Sequence, residues 1–91
     1  MNKQHAELLN ITLEEAAEVV QAISKIFRFG WDSCHPDRPG HTNKMHLEEE
    51  IGDLLCLVEI LEERGLVDSN AIAAAFYNKK EKLAEWSNVE L

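Results

Sequence analysis

Apolar residues along this 91-residue chain recur every three or four positions, the period of a helix, and no segment alternates as a strand would. Leu9, Leu13, Ala16, Val20, Ile23 and Phe27 mark a first helix from about Lys3 to Phe27, and Gly30 closes it. A second helix is expected from about Asn43 to Arg64, with Leu47, Leu54, Val58 and Leu61 on one side. Thr42 or Asn43 suits its N-cap, and Gly65 stands where a helix ends. A third runs from about Ser69 to Trp86, capped by Asp68 or Ser69, with Ile72, Phe76 and Leu83 on its apolar stripe. The short link before it predicts an antiparallel hairpin of the second and third helices. The expected fold is therefore all-α: one domain over residues 1–91, a helical bundle with three main helices. A loop over residues 28–42, with room for a short helical turn, joins the first two. Such long loops in compact domains are usually functional.

Acids interrupt this pattern in an informative way. Residues advance by about 100° on a helix. On that wheel Glu50 falls inside the apolar arc of Leu47, Ile51, Leu54, Leu57, Val58 and Leu61, and Asp53 falls at its edge. On the first helix the arc is Leu8, Leu9, Leu13, Ala16, Val19, Val20, Ile23 and Phe27. Glu15 sits at one edge of it, Glu18 one step further out, and Glu14 on the polar face. Glu15 with Glu18, and Glu50 with Asp53, thus form two i,i+3 pairs. Either pair alone is ordinary surface decoration. Packing through the apolar arcs would bring both pairs together. Two carboxylates about 4 Å apart at an intermediate dielectric repel by roughly 4 kcal/mol. Shifted pKa values, basic partners or bound cations relieve this repulsion. Oxygen donors in this number suit Mg²⁺, with Mn²⁺ as a substitute.

Composition narrows the class. Seventeen acids against nine Lys and Arg give a net charge of −8. A nucleic-acid polymer and an anionic membrane surface are poor partners for such a chain. A nucleotide remains possible, because cations bridge acids to phosphates. No signal-peptide core or membrane-length apolar run is visible. Two cysteines, Cys34 and Cys56, are too few for a disulfide framework, which points to the cytoplasm. Cys56 reads as a small packing residue. So short a chain buries only about 60% of its unfolded surface, so a homodimer or homotetramer is expected.

"EEAAE" (14–18) followed by "EIGD" (50–53) resembles the EExxE…ExxD signature of the MazG-like all-α nucleoside triphosphate pyrophosphohydrolases, relatives of the dimeric dUTPases and dCTP pyrophosphatases. "KIFRFG" before the loop, "TN" before the second helix and "EIGDLL" add to the resemblance, which runs from about Leu8 to Trp86. The departure is the 31-residue interval between Glu18 and Glu50, at the long end for such proteins. The resemblance implies Mg²⁺-dependent hydrolysis of a nucleoside triphosphate at the α-phosphorus to the monophosphate and pyrophosphate. It implies that Glu15, Glu18, Glu50 and Asp53 hold the metal. It also implies that Glu14, Glu15 and Glu18 are catalytic, with Glu14, on the outward face, ranked lower. By position it assigns Asn78, Lys79 and Lys82 of "YNKKEK" to the phosphates, where the alternative is a solvated basic face near a helix C-terminus.

Trp31 in the loop would stack on a base or cap the end of the core, the second being favoured. Arg28 and Arg38 would meet phosphates or surface acids. Trp86 reads as a packing residue, and Gly52 as a point where another helix comes close. Cys34, His35, His41 and His46 have irregular spacing that does not favour zinc. The rival function is a non-catalytic helical module that binds a nucleotide or a protein, docking through "AIAAAF" (71–76). Response to Mg²⁺ discriminates the two.

Overall fold

A computed structural model describes residues 1–91. It contains α1 (Lys3–Phe29), α2 (Asn43–Glu63) and α3 (Ser69–Trp86), and is all-α. Two compact units are distinguished, Met1–Ile60 and Leu61–Leu91.

In the first unit Asn2 caps α1, its side chain accepting from the His5 N–H. Gly30 ends the helix at φ 103°, a conformation that L side chains rarely adopt, and its N–H donates to the Ile26 carbonyl. The chain then turns through residues 31–42 without a helical segment, stitched by a single antiparallel bridge between Cys34 and Thr42. Asn43 closes the loop. It is buried, its Nδ2 donates to the Gly30 carbonyl at 2.9 Å, and its backbone N–H donates to the Ser33 carbonyl at 2.8 Å. Thr42 is the residue that caps α2, its Oγ1 accepting from the Met45 N–H. These bonds fix where α2 sets out on its return along α1.

The face of α1 that becomes buried differs from the apolar arc of the sequence. The more protected positions are His5, Leu8, Ile11, Thr12, Glu15, Ala16, Val19, Ala22, Lys25 and Ile26, with Ala22 fully buried. Leu13 and Val20 are each 67% exposed and Phe27 is 86% exposed. The helix carries two stripes at the same period, and the one with the larger apolar side chains faces outward. On α2, Leu47, Leu54, Leu57 and Val58 are half-buried, whereas Ile51, Leu55 and Cys56 are exposed. Cys56 therefore does not pack as expected. A Cβ at Gly52 would meet open space, so α1 does not lie close against it.

In the second unit the turn after α2 is set by Gly65 at φ 70°, which lets the Leu66 N–H reach back to the Leu61 carbonyl at 2.9 Å. Ser69 hydrogen-bonds Glu62, and Asp68 caps α3 by accepting from the Asn70 N–H. Trp86 is 83% exposed, which corrects its reading as a packing residue. It lies beside the C-cap Ser87, beyond the half-buried Leu83. No helix is long and apolar enough to cross a membrane.

Candidate metal centre

The two acid pairs meet. Glu15 of α1 and Glu50 and Asp53 of α2 each offer a carboxylate oxygen, all within 4.8 Å of one another. Glu18 lies close enough to share a proton with Glu50. The antiparallel return of α2 along α1 produces this meeting, because each pair spans one helical turn and the two turns face each other.

Burial is graded across the cluster. Glu50 is only 6% exposed, Glu15 is half-buried, and Glu18 and Asp53 are exposed. Glu50 belongs to the inner face of α2, as its place among Leu47, Leu54 and Leu57 requires. Glu15 lies within the protected stripe of α1, further inward than the edge position the sequence suggested. Glu14 is exposed.

The electrostatics follow. The Glu50 carboxyl is pushed up from 4.5 to about 7, first by the hydrogen bond its protonated form makes to Glu18. Burial and repulsion from Glu18, Glu15 and Asp53 add to the rise. Glu15 is also raised, chiefly by burial and then by Glu18, Asp53 and Glu14, while a bond from Glu50 opposes the shift. Glu15 Oε2 and Glu50 Oε2 are sealed from solvent and meet no hydrogen-bond donor while both groups are ionised. Buried oxygens without donors are costly unless protonated or bound to a cation. A hard, all-oxygen donor set fits Mg²⁺ or Mn²⁺.

A MazG nucleotide pyrophosphohydrolase domain model matches residues 3–86. The chain belongs to the MazG family. The match runs through both compact units and includes every acid of the cluster. The family assignment makes nucleotide pyrophosphohydrolysis the activity at family level. Comparison with curated proteins and with solved structures gave no match.

The remaining predicted site residues of this MazG chain are exposed. Arg28 is exposed, its guanidinium 4.8 Å from the centre of the Phe29 ring. Trp31 is exposed too, so it does not cap the core, and its carbonyl accepts from the Lys44 N–H. Asn78, Lys79 and Lys82 are exposed on α3. Two features escaped the sequence reading. One is a cleft of about 430 Å³ at the loop, lined by Lys25, Phe29, Ser33, Cys34, His35, Pro36 and Asn43. The other is a group of His41, His46 and Glu49, again with ligand atoms within 4.8 Å of one another. Cys34 and His35, considered with the histidines for zinc, line the cleft instead. The i,i+3 placement of His46 and Glu49 was available as a signal, but the path of the loop that returns His41 to them was not.

Proposed function

We propose that this MazG-family chain is a Mg²⁺-dependent nucleoside triphosphate pyrophosphohydrolase that cleaves a ribo- or deoxyribonucleotide to the monophosphate and pyrophosphate. The observation that carries this reading is the burial of Glu50 against Glu15, Glu18 and Asp53, with two inner oxygens lacking donors. A purely structural acid would have a basic partner, whereas only the imidazole of His46 approaches Glu50, at 3.8 Å. Glu15, Glu18, Glu50 and Asp53 would hold Mg²⁺, or Mn²⁺ in its place. A divalent ion there supplies charge neutralisation for the triphosphate and acidifies a water for attack at the α-phosphorus.

The chain's own groups divide the remaining work. Glu50 and Glu15, the protected pair, anchor the cluster. Glu18 and Asp53, its exposed members, would meet the solvated triphosphate. Glu14, exposed and next to Glu15, would orient water rather than anchor the ion. Lys25 follows Glu18 by seven residues on α1, a rise of about 10 Å. The cleft it lines, walled by Phe29 and Pro36, is a suitable receptacle for the nucleoside end of the substrate. Trp31 offers an exposed ring for stacking and Arg28 an exposed cation, while Asn78, Lys79 and Lys82 are assigned to the phosphates by family resemblance.

The outward stripe of α1 supports a homo-oligomer. Exposed Leu9, Leu13, Val20, Ile23 and Phe27, with half-buried Ala16 among them, alternate spacings of four and three, the pattern of a knobs-into-holes seam. Exposed Leu13, Val20 and Phe27 in one row are best covered by a second copy of this helix. Two free, exposed thiols suit a reducing cytoplasm.

The test is pyrophosphate release from a panel of ribo- and deoxyribonucleoside triphosphates with Mg²⁺. Turnover by the wild type should fall by a factor of about 100 or more in Glu50→Gln and in Asp53→Asn, with folds intact, since even supporting ligands of metal sites carry 10- to 100-fold effects. No turnover on any nucleotide, with no rise in thermal midpoint on adding Mg²⁺, would favour the non-catalytic binding module.

A further inference from the structure

The second group of ligand-bearing side chains differs in chemistry from the acid cluster. His41 comes from the last residues of the loop, and His46 and Glu49 from the first two turns of α2. His46 and Glu49 stand three residues apart and so share a helix face. His41 Nε2 lies 3.5 Å from Glu49 Oε2. The same nitrogen is sealed from solvent and makes no hydrogen bond. The two imidazoles meet edge to face, with ring centres 6.2 Å apart.

Two imidazoles and a carboxylate form a donor set for a borderline-soft cation. Such a set prefers Zn²⁺, Co²⁺ or Ni²⁺, whereas an all-oxygen set suits Mg²⁺ or Mn²⁺. Ligand bonds of about 2.0–2.2 Å in a tetrahedron put neighbouring ligand atoms roughly 3.4 Å apart. The 3.5 Å between His41 and Glu49 already meets that spacing. The third ligand atom lies within 4.8 Å of the others, a gap that small side-chain rotations close.

We infer that His41, His46 and Glu49 form a second cation site, selective for a zinc-class transition ion and separate in its ligands from the carboxylate cluster. The ion takes three protein ligands and leaves a fourth position to water. Its structural effect is to fasten the end of the loop to the start of α2. That junction otherwise rests on the bonds of Thr42 and Asn43. This inference does not depend on nucleotide turnover.

The test uses the full chain, stripped of metal, titrated with Co²⁺ in the presence of excess Mg²⁺ to keep the carboxylate cluster filled. The readout is the strong visible ligand-field absorption of tetrahedral Co²⁺, followed by its displacement with Zn²⁺. One ion per chain is expected. His41→Gln and Glu49→Gln should each weaken it by about 10-fold or more, whereas Asp53→Asn should leave it in place. Zn²⁺ should raise the thermal midpoint of the wild type and not that of His41→Gln. Glu49 is exposed, so its variant keeps the test valid if the loop variant folds poorly. Absence of a tetrahedral spectrum, or a spectrum kept in both site variants and lost in Asp53→Asn, would overturn the inference.

Discussion

Replacing Glu50 by Gln should stabilise the metal-free protein at neutral and alkaline pH, although it removes a buried residue's native functional group. An acid with a raised folded-state pKa binds its proton more tightly in the folded than in the unfolded chain. Stability from that proton is fully present below the ordinary value of 4.5 and is lost as pH rises to about 7. The rise of about 2.5 units, at roughly 1.4 kcal/mol each, corresponds to about 3 kcal/mol above pH 7. Water around the exposed Glu18 and Asp53 screens part of the repulsion, so a gain of about 1–3 kcal/mol is expected. A Gln amide at position 50 donates where protonated Glu50 would, and carries no charge. At about 4–8 °C per kcal/mol for a domain of this size, the midpoint should rise by roughly 5–20 °C. Urea or thermal unfolding with a chelator, at fixed protein concentration and at pH 5 and pH 8, reads this directly. The gain should be large at pH 8 and shrink toward pH 5, where wild-type Glu50 keeps its own proton. Mg²⁺ should raise the midpoint of the wild type at pH 8 much more than that of the variant. A variant less stable than wild type at pH 8, or a difference independent of pH, would refute the electrostatic account of the cluster.

Two further outcomes concern the scaffold. Asn43→Ala leaves the Gly30 carbonyl without its donor, and should cost about 1–2 kcal/mol in urea unfolding. Leu13→Glu combined with Val20→Glu should convert an oligomer to monomers in analytical ultracentrifugation with helicity retained, and an unchanged sedimentation coefficient would remove α1 from the interface.

The helices were legible because period, caps and glycines agree. Asp68 and Gly65 act as their residue types suggest, and the observed bounds lie within two residues of those expected. Glu50 was legible for a different reason: Leu47, Leu54 and Leu57 surround it on the wheel, and a helix cannot bury them without burying it. Glu15 was harder. The first helix has two stripes of equal period, and hydrophobicity alone favours Leu13, Val20 and Phe27 for the inside. The structure turns the other stripe inward, so the cluster is more protected than an edge position implies. Trp86 and Cys56, read as packing residues, and Trp31, favoured as a core cap, are exposed, because helical periodicity does not tell which apolar residues one short chain leaves outside. The grouping of His41 with His46 and Glu49 depends on the course of residues 31–42, which helical periodicity does not describe.

These misreadings have a common physical origin. A three-helix chain of this length has too little interior for all its apolar residues, so a mixed face such as Leu8, Thr12, Glu15, Val19, Ala22 and Ile26 can become the inner one. That choice puts Glu15 opposite Glu50 and leaves the stripe of Leu13, Val20 and Phe27 exposed. A carboxylate cluster with Glu50 buried at its inner end is unfavourable for folding, and an exposed apolar seam is unfavourable for solubility. In the proposed enzyme both are offset by binding: a divalent cation at the first and a second copy of α1 at the second.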